Sequence, residues 1–351
     1  MKRVIAIAMQ KGGVGKTTTA VNLAASLAAT KRRVLLIDMD PQGNTTMGSG
    51  IDKSQLKCST CEVLLGECQL ADAFVPIEHG AGFTLLPANQ DLTAAEVRLL
   101  TLPIGRETKL RQALAPKRND FDLVLIDCPP ALNMLTVNAL VAADSVLIPM
   151  QCEYYALEGL SALLSTVEQI RAAVNPQLAI EGVLRTMFDP RNNLANEVSA
   201  QLVAHFGDKV FRTVIPRNIR LAEAPSFGKP ALFHDKESRG ALAYLALAGE
   251  MIRREEESTG AVRNLTAMTS ATAASPVTAP TAPTASAANA TAANTTNTAN
   301  TTNAANAGNA VDTNGVDTAT TAGPATNPAS GSGMSAPVSA APAPQAEERS
   351  R

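Results

Sequence analysis

Residues 10–18 read QKGGVGKTT, and their types suit one kind of chemistry. Gly12, Gly13 and Gly15, with Val14 between them, let backbone N–H groups wrap a phosphate. A helix starting immediately afterwards adds the positive end of its dipole. Lys16 sets a point charge against β- and γ-phosphates, and the hydroxyl of Thr17, followed by Thr18, can ligate Mg²⁺. The segment is a variant of the P-loop, so the expected ligand is a nucleoside triphosphate with Mg²⁺.

Two acidic turns complete the constellation. VLLI at 34–37 runs into Asp38-Met39-Asp40-Pro41-Gln42-Gly43, and LVLI at 123–126 runs into Asp127-Cys128-Pro129-Pro130. Ligands of doubly wound sheets bind at the carboxyl ends of strands, where both turns must lie. Asp127 takes the Walker B position, holding Mg²⁺ directly or through water. Asp40 is fixed at its strand mouth by the Pro41-Gln42-Gly43 turn and is the stronger catalytic candidate. Asp38 either caps the turn or acts in catalysis.

The elements that must position these residues are legible as short apolar runs. Val4–Met9, Val34–Ile37, Phe83–Leu86, Leu123–Ile126, Val146–Ile148, Ile180–Leu184 and Val210–Ile215 are nearly continuous in apolar residues, as parallel strands covered on both faces should be. Thr18–Ala29 and Glu158–Val174 carry helical spacing between them, and Arg239–Arg254 reads as a closing helix. Strand–helix alternation predicts an α/β, doubly wound, mostly parallel sheet with helices on both faces, a P-loop NTPase fold.

The chain has 351 residues, more than one ordinary domain, yet its composition leaves room for only one. All Phe and Tyr residues lie at or before Tyr244. From 261 onward the only charged residues are Arg263, Asp312, Asp317, Glu347, Glu348, Arg349 and Arg351. Ala, Thr, Asn, Pro, Ser and Gly cannot bury enough apolar surface to offset the entropy of ordering. The expected organisation is an ATPase-type domain over 1–257 and a low-complexity, disordered tail over 258–351. A formal net charge of −2 excludes a histone-like binder but not a local basic face. Five cysteines at irregular spacing argue for reduced thiols over a disulfide framework. The most apolar long window, 132–150, contains Asn133, Asn138 and Asp144, so no membrane span is expected and the predicted location is the cytoplasm.

QKGGVGKTT, VLLIDMDPQGN, DLVLIDCPP and IPRNIRLAEAPSFGKP, in this order, resemble the ParA/Soj chromosome- and plasmid-partitioning ATPases of the deviant Walker A group. The likeness spans residues 2–255. It implies an ATP- and Mg²⁺-dependent ATPase that dimerises on ATP and binds nucleoid DNA without sequence preference. A ParB-like centromere-binding partner would stimulate hydrolysis and release. It also implies that Lys11 is the signature lysine reaching the partner subunit's nucleotide, and that Gly12 lies where two subunits approach most closely. Asp40 would orient the attacking water, and Pro216 and Asn218 would line the adenine site.

Basic residues between 185 and 239 could contact phosphates, and with the resemblance Arg191, Arg217 and Arg220 are the leading DNA candidates. A MinD-like membrane ATPase is the alternative, and it should end in an amphipathic helix with a basic face. The terminal stretch has neither lysine nor apolar stripe. An iron–sulfur reductase would need cluster cysteines. Cys58-Ser59-Thr60-Cys61 superficially offers them, and incidental thiols are the preferred reading.

Overall fold

The computed structural model describes residues 2–78, 82–154 and 156–273, with the side chains of the last helix described as far as residue 258. The first half alternates β1 (Arg3–Ile7), α1 (Lys16–Ala29), β2 (Val34–Asp38), α2 (Asn44–Gly48), α3 (Thr60–Leu65), β3 (Val75–Ile77), β4 (Phe83–Leu86), α4 (Leu92–Thr101) and α5 (Lys109–Leu114). The second half continues with β5 (Leu123–Asp127), α6 (Met134–Ala142), β6 (Ser145–Gln151), α7 (Ala156–Ala173), β7 (Ala179–Phe188) and α8 (Asn193–Phe206). It closes with β8 (Val210–Pro216), α9 (Ile219–Glu223), α10 (Ala231–His234) and α11 (Arg239–Ala273).

Among the described residues, eight strands form one sheet in the order β3-β4-β2-β5-β1-β6-β7-β8. Every pairing is parallel except β3 with β4. The expected doubly wound sheet is therefore present. Alternate residues of each central strand enter opposite apolar clusters: Val4 and Ala6 lie on one face, and Ile5 and Ile7 on the other. Burial on both faces is why these strands read as unbroken apolar runs. Register then sets the site. Ile7 pairs with Asp127, and Asp38 pairs with Asp127, so the loop after β1 and the acids ending β2 and β5 emerge at one edge.

Three features depart from the sequence expectations. β3 was not anticipated: it is three residues long and contains Pro76, which an edge strand tolerates because it need not donate outward. The closing helix runs to Ala273, beyond the expected end at Arg254, so the 257/258 boundary falls inside it. Ala, Glu, Arg, Leu and Met favour helix, and no proline occurs after Pro230 until Pro276. The remainder of the expected tail lies outside the described residues. Third, Cys58 and Cys68 form a disulfide, against the expectation of reduced thiols, with Cα atoms 6.5 Å apart. They bracket α3, which is capped by Ser59 and Glu62 at one end and by left-handed Gly66 at the other. The caps fold the flanking residues back, and that proximity is invisible in the cysteine spacing.

Candidate functional site

The loop leaving β1 reaches α1 through two glycines in left-handed conformation, Gly13 at φ +74° and Gly15 at φ +91°. Neither conformation suits an L side chain, which is why glycine stands there. Val14 points the other way: it is 1% exposed and belongs to the core, so it anchors the loop and does not line the cavity. Gly15 forms the N-cap of α1, and its carbonyl accepts from Thr19 N at 2.8 Å.

Lys16, at the head of α1, is buried and donates from Nζ to the Lys11 carbonyl at 3.2 Å. Burial lowers the pKa of its ammonium, while Asp127 and Asp40 oppose that shift. Thr17 Oγ1 donates to Asp127 Oδ2 at 2.8 Å, and Thr45 Oγ1 donates to the same oxygen at 2.6 Å. Asp127 Oδ1 is buried with no hydrogen-bond partner among the described residues. Burial pushes this carboxyl up to about 6 against the opposing pull of Thr45, Thr17 and Lys16. A buried carboxylate oxygen without a donor, beside a threonine hydroxyl, suits a hydrated divalent cation. The residues present therefore fit Mg²⁺.

Asp38 occupies the same level with a different task. Its carboxylate accepts from Asp40 N at 3.1 Å, Thr46 N at 2.9 Å and Thr46 Oγ1 at 2.7 Å, spending both oxygens on the turn and the start of α2. Between capping and catalysis, this geometry favours capping. Burial first, then the Asp127 charge, pushes Asp38 up to about 8. Asp40 faces the cavity instead, with Oδ1 accepting from Gln42 N at 2.9 Å. Gly43 (φ +60°) follows, where a side chain would strike the Ala88 carbonyl at 2.6 Å.

Several of these groups line one cavity of about 510 Å³. Gly12, Gly13, Gly15, Lys16, Thr17, Thr18 and Asp40 lie on one side, with Pro216, Arg217 and Asn218, which follow β8, on the other. Asn218 Oδ1 caps α9, accepting from Arg220 N at 3.0 Å and Leu221 N at 3.3 Å. Arg217, expected at a DNA surface, lines this cavity. Lys11 stands apart from it, half-buried and paired with Glu153 at 2.7 Å. The other DNA candidates carry counter-charges: Arg191 with Asp189 at 2.8 Å, and Arg220 with Glu223 at 2.8 Å and Asp235 at 3.3 Å. Of the Cys58/Cys61 pair, Cys61 is buried and donates to the Asp91 carbonyl, and its partner is committed to Cys68.

Sequence reasoning missed Thr45, Thr186, Met187 and Tyr244. Thr45 was within reach, since it follows the Asp40 turn directly. Thr186, Met187 and Tyr244 line the cavity from remote segments and carry no local motif. Among the described residues, no helix is long and apolar enough to cross a membrane.

Similarity to known proteins agrees with this geometry. A family model described as an AAA domain matches residues 2–180. The chromosome partitioning protein ParA of Caulobacter vibrioides is 52% identical over 257 residues, covering 73% of this chain and 96% of that protein. The sporulation initiation inhibitor protein Soj of Bacillus subtilis is 50% identical over 251 residues, covering 72% of this chain and 98% of that one. Among solved structures, cobyrinic acid a,c-diamide synthase from Mycobacterium smegmatis, with bound ADP and magnesium, is 40% identical with a TM-score of 0.64. That match covers 74% of this chain and 97% of the other. With its loop, acids and sheet order arranged as described, and with identity of this extent over nearly the whole length of such relatives, the chain belongs to the ParA/Soj family of partitioning ATPases.

Proposed function

We propose that this chain is a Mg²⁺-dependent ATPase of DNA segregation. Its ATP-bound dimer binds DNA without sequence preference, and a ParB-like partner stimulates the hydrolysis that releases it. One observation carries the reading: Lys16, Thr17 and Asp40 line a single cavity, and Thr17 donates to the buried Asp127, whose Oδ1 has no partner among the described residues. Relatives named as partitioning proteins at 50–52% identity favour this biological role.

In this reading the backbone N–H groups of 12–17 surround the phosphates, and Lys16 balances charge on the β- and γ-oxygens. Thr17 Oγ1 and Asp127, directly or through water, would hold Mg²⁺, which supplies charge neutralisation between the β- and γ-phosphates. Asp40 accepts a hydrogen bond from a water and aims it at the γ-phosphorus. Pro216 and Asn218 would close the base end, and with Oδ1 of Asn218 committed to the helix cap, its amide N–H groups would be what it can offer a base. Lys11, held by Glu153 within one chain, would exchange that carboxylate for the phosphates of a second subunit. Dimerisation doubles the surface carrying Arg191 and Arg220, so weak phosphate contacts add on one duplex. The resulting location is the cytoplasm, on the nucleoid.

The test is a gel shift on unrelated duplexes at graded salt, with ATP or ADP, using Asp40→Ala to hold the ATP state. Binding should require ATP, ignore sequence and fall steeply with salt. No ATP-dependent shift at low salt would remove DNA from the proposal, and liposome binding would then support the membrane-associated alternative.

A further inference from the structure

A phosphate-binding loop works only when its peptide planes are turned so that N–H groups face the ligand. In a planar trans peptide, the carbonyl of one residue and the N–H of the next point in opposite directions. Whatever holds the Val14 carbonyl therefore sets the direction of the Gly15 N–H. β7 provides that hold from 172 residues away: Thr186 Oγ1 donates to the Val14 carbonyl at 2.7 Å. Thr186 is 2% exposed and Val14 1%, so water has no ready access to replace this bond. Gly15 is the N-cap of α1 and Lys16 its first residue, so a rotated Val14–Gly15 peptide would carry the phosphate lysine with it. The strand departs from extended backbone directly after the tether. Met187 sits at φ +48°, a conformation that side chains disfavour. Both residues line the cavity.

We infer that Thr186 is a positioning residue of the nucleotide site. Its hydroxyl pins the Val14–Gly15 peptide so that the Gly15 N–H is presented to the phosphates of a nucleoside di- or triphosphate. The inference rests on the nucleotide reading given above. Thr186 performs no chemical step. Its effect is on phosphate binding in ground state and transition state alike, so it belongs in KM and not in kcat.

Thr186→Val keeps the shape and removes the donor, whereas Thr186→Ser keeps the donor. Calorimetric titration of the full chain with MgADP should show Thr186→Val weakened on the order of tenfold, with KM for ATP raised in proportion and kcat little changed. Thr186→Ser should restore most of the affinity. Melting with and without MgADP separates positioning from mere support. A supporting role lowers both melting points equally and leaves the nucleotide-induced rise intact, whereas the positioning role shrinks that rise. Thr186→Val binding MgADP as tightly as wild type, or Thr186→Ser binding as weakly as Thr186→Val, would overturn the inference. Failure of the wild type itself to bind MgADP would overturn the nucleotide reading and this role with it, an outcome visible without any variant.

Discussion

Glu250 offers a test of how the β8 side of the cavity is supported. β7 and β8 change register sharply, with Val183 opposite Val210 but Arg185 opposite Val214, so residues 211–213 of β8 bulge out of the ladder. Their backbone groups must find other partners. Glu250, 5% exposed on α11, accepts from Arg212 N and Thr213 N, each at 2.8 Å. Arg185 donates to the Phe211 carbonyl at 2.8 Å and the Arg212 carbonyl at 3.2 Å. Arg254 donates to Glu250 at 2.6 Å and stacks 4.4 Å from the Phe211 ring centroid. Glu250→Ala would strip two amides of their acceptor and Arg254 of its counter-charge. Each unsatisfied buried group costs about 1–3 kcal/mol, and breaking a buried ion pair about 3–5. An adjoining cavity of about 590 Å³ gives water some access, which argues for the lower end, near 3 kcal/mol. At roughly 2–4 °C per kcal/mol for a domain of this size, melting should fall by about 6–12 °C, and by about half that for Glu250→Gln.

The sign of the pH dependence follows from the same contacts. Burial raises the Glu250 pKa, but the amides of Thr213 and Arg212 and the Arg254 guanidinium outweigh it, so the net value is lowered. Its contribution is therefore present above the ordinary glutamate value near 4.3 and is lost as pH falls through the folded value. Thermal melting followed by circular dichroism, without nucleotide, should show a wild-type advantage at neutral pH that shrinks in acid. A Glu250→Ala protein melting within about 2 °C of wild type at pH 7 would refute the reasoning.

Other outcomes are expected from the site itself. Lys16→Ala should abolish nucleotide binding measured by calorimetry, whereas Asp40→Ala should bind MgATP normally and lose hydrolysis; an Asp40 variant hydrolysing at the wild-type rate would exclude its role. At Gly12 an added Cβ meets nothing within 4 Å in one chain, so Gly12→Val should fold and bind ATP normally. The same variant should sediment as a monomer with ATP, and a normal dimer would rule out close approach there. Asp38 is raised to about 8 by burial and by Asp127, so its stabilising contribution is full below the ordinary aspartate value near 3.9 and is lost as pH rises through about 8. The nucleotide-free protein should accordingly lose stability progressively between about pH 4 and 8 through this group and level off above 8, with a flatter slope for Asp38→Asn.

The sequence by itself determined the parallel sheet and the grouping of the glycine loop with the strand-end acids, because both are written in contiguous stretches. An apolar run running directly into GGVGKTT, DMDPQG or DCPP places its polar residues at a strand mouth by chain connectivity alone. Only the tertiary structure decided what those residues do for one another. Asp38 and Asp40 are two residues apart and equally acidic, yet the Thr46 hydroxyl and amide take the first, and the cavity receives the second. Arg217 reads like any surface arginine until the β8 exit brings it to the cavity beside the glycine loop. The Glu153 partner of Lys11, the Cys58–Cys68 bond, the Glu250 cap on the β8 bulge and the Thr186 tether join residues that carry no shared local pattern. The physical reason is that periodicity and motif report only on neighbours along the chain. Hydrogen bonds and ion pairs are satisfied through space, after the sheet order has chosen which strand ends and helices meet.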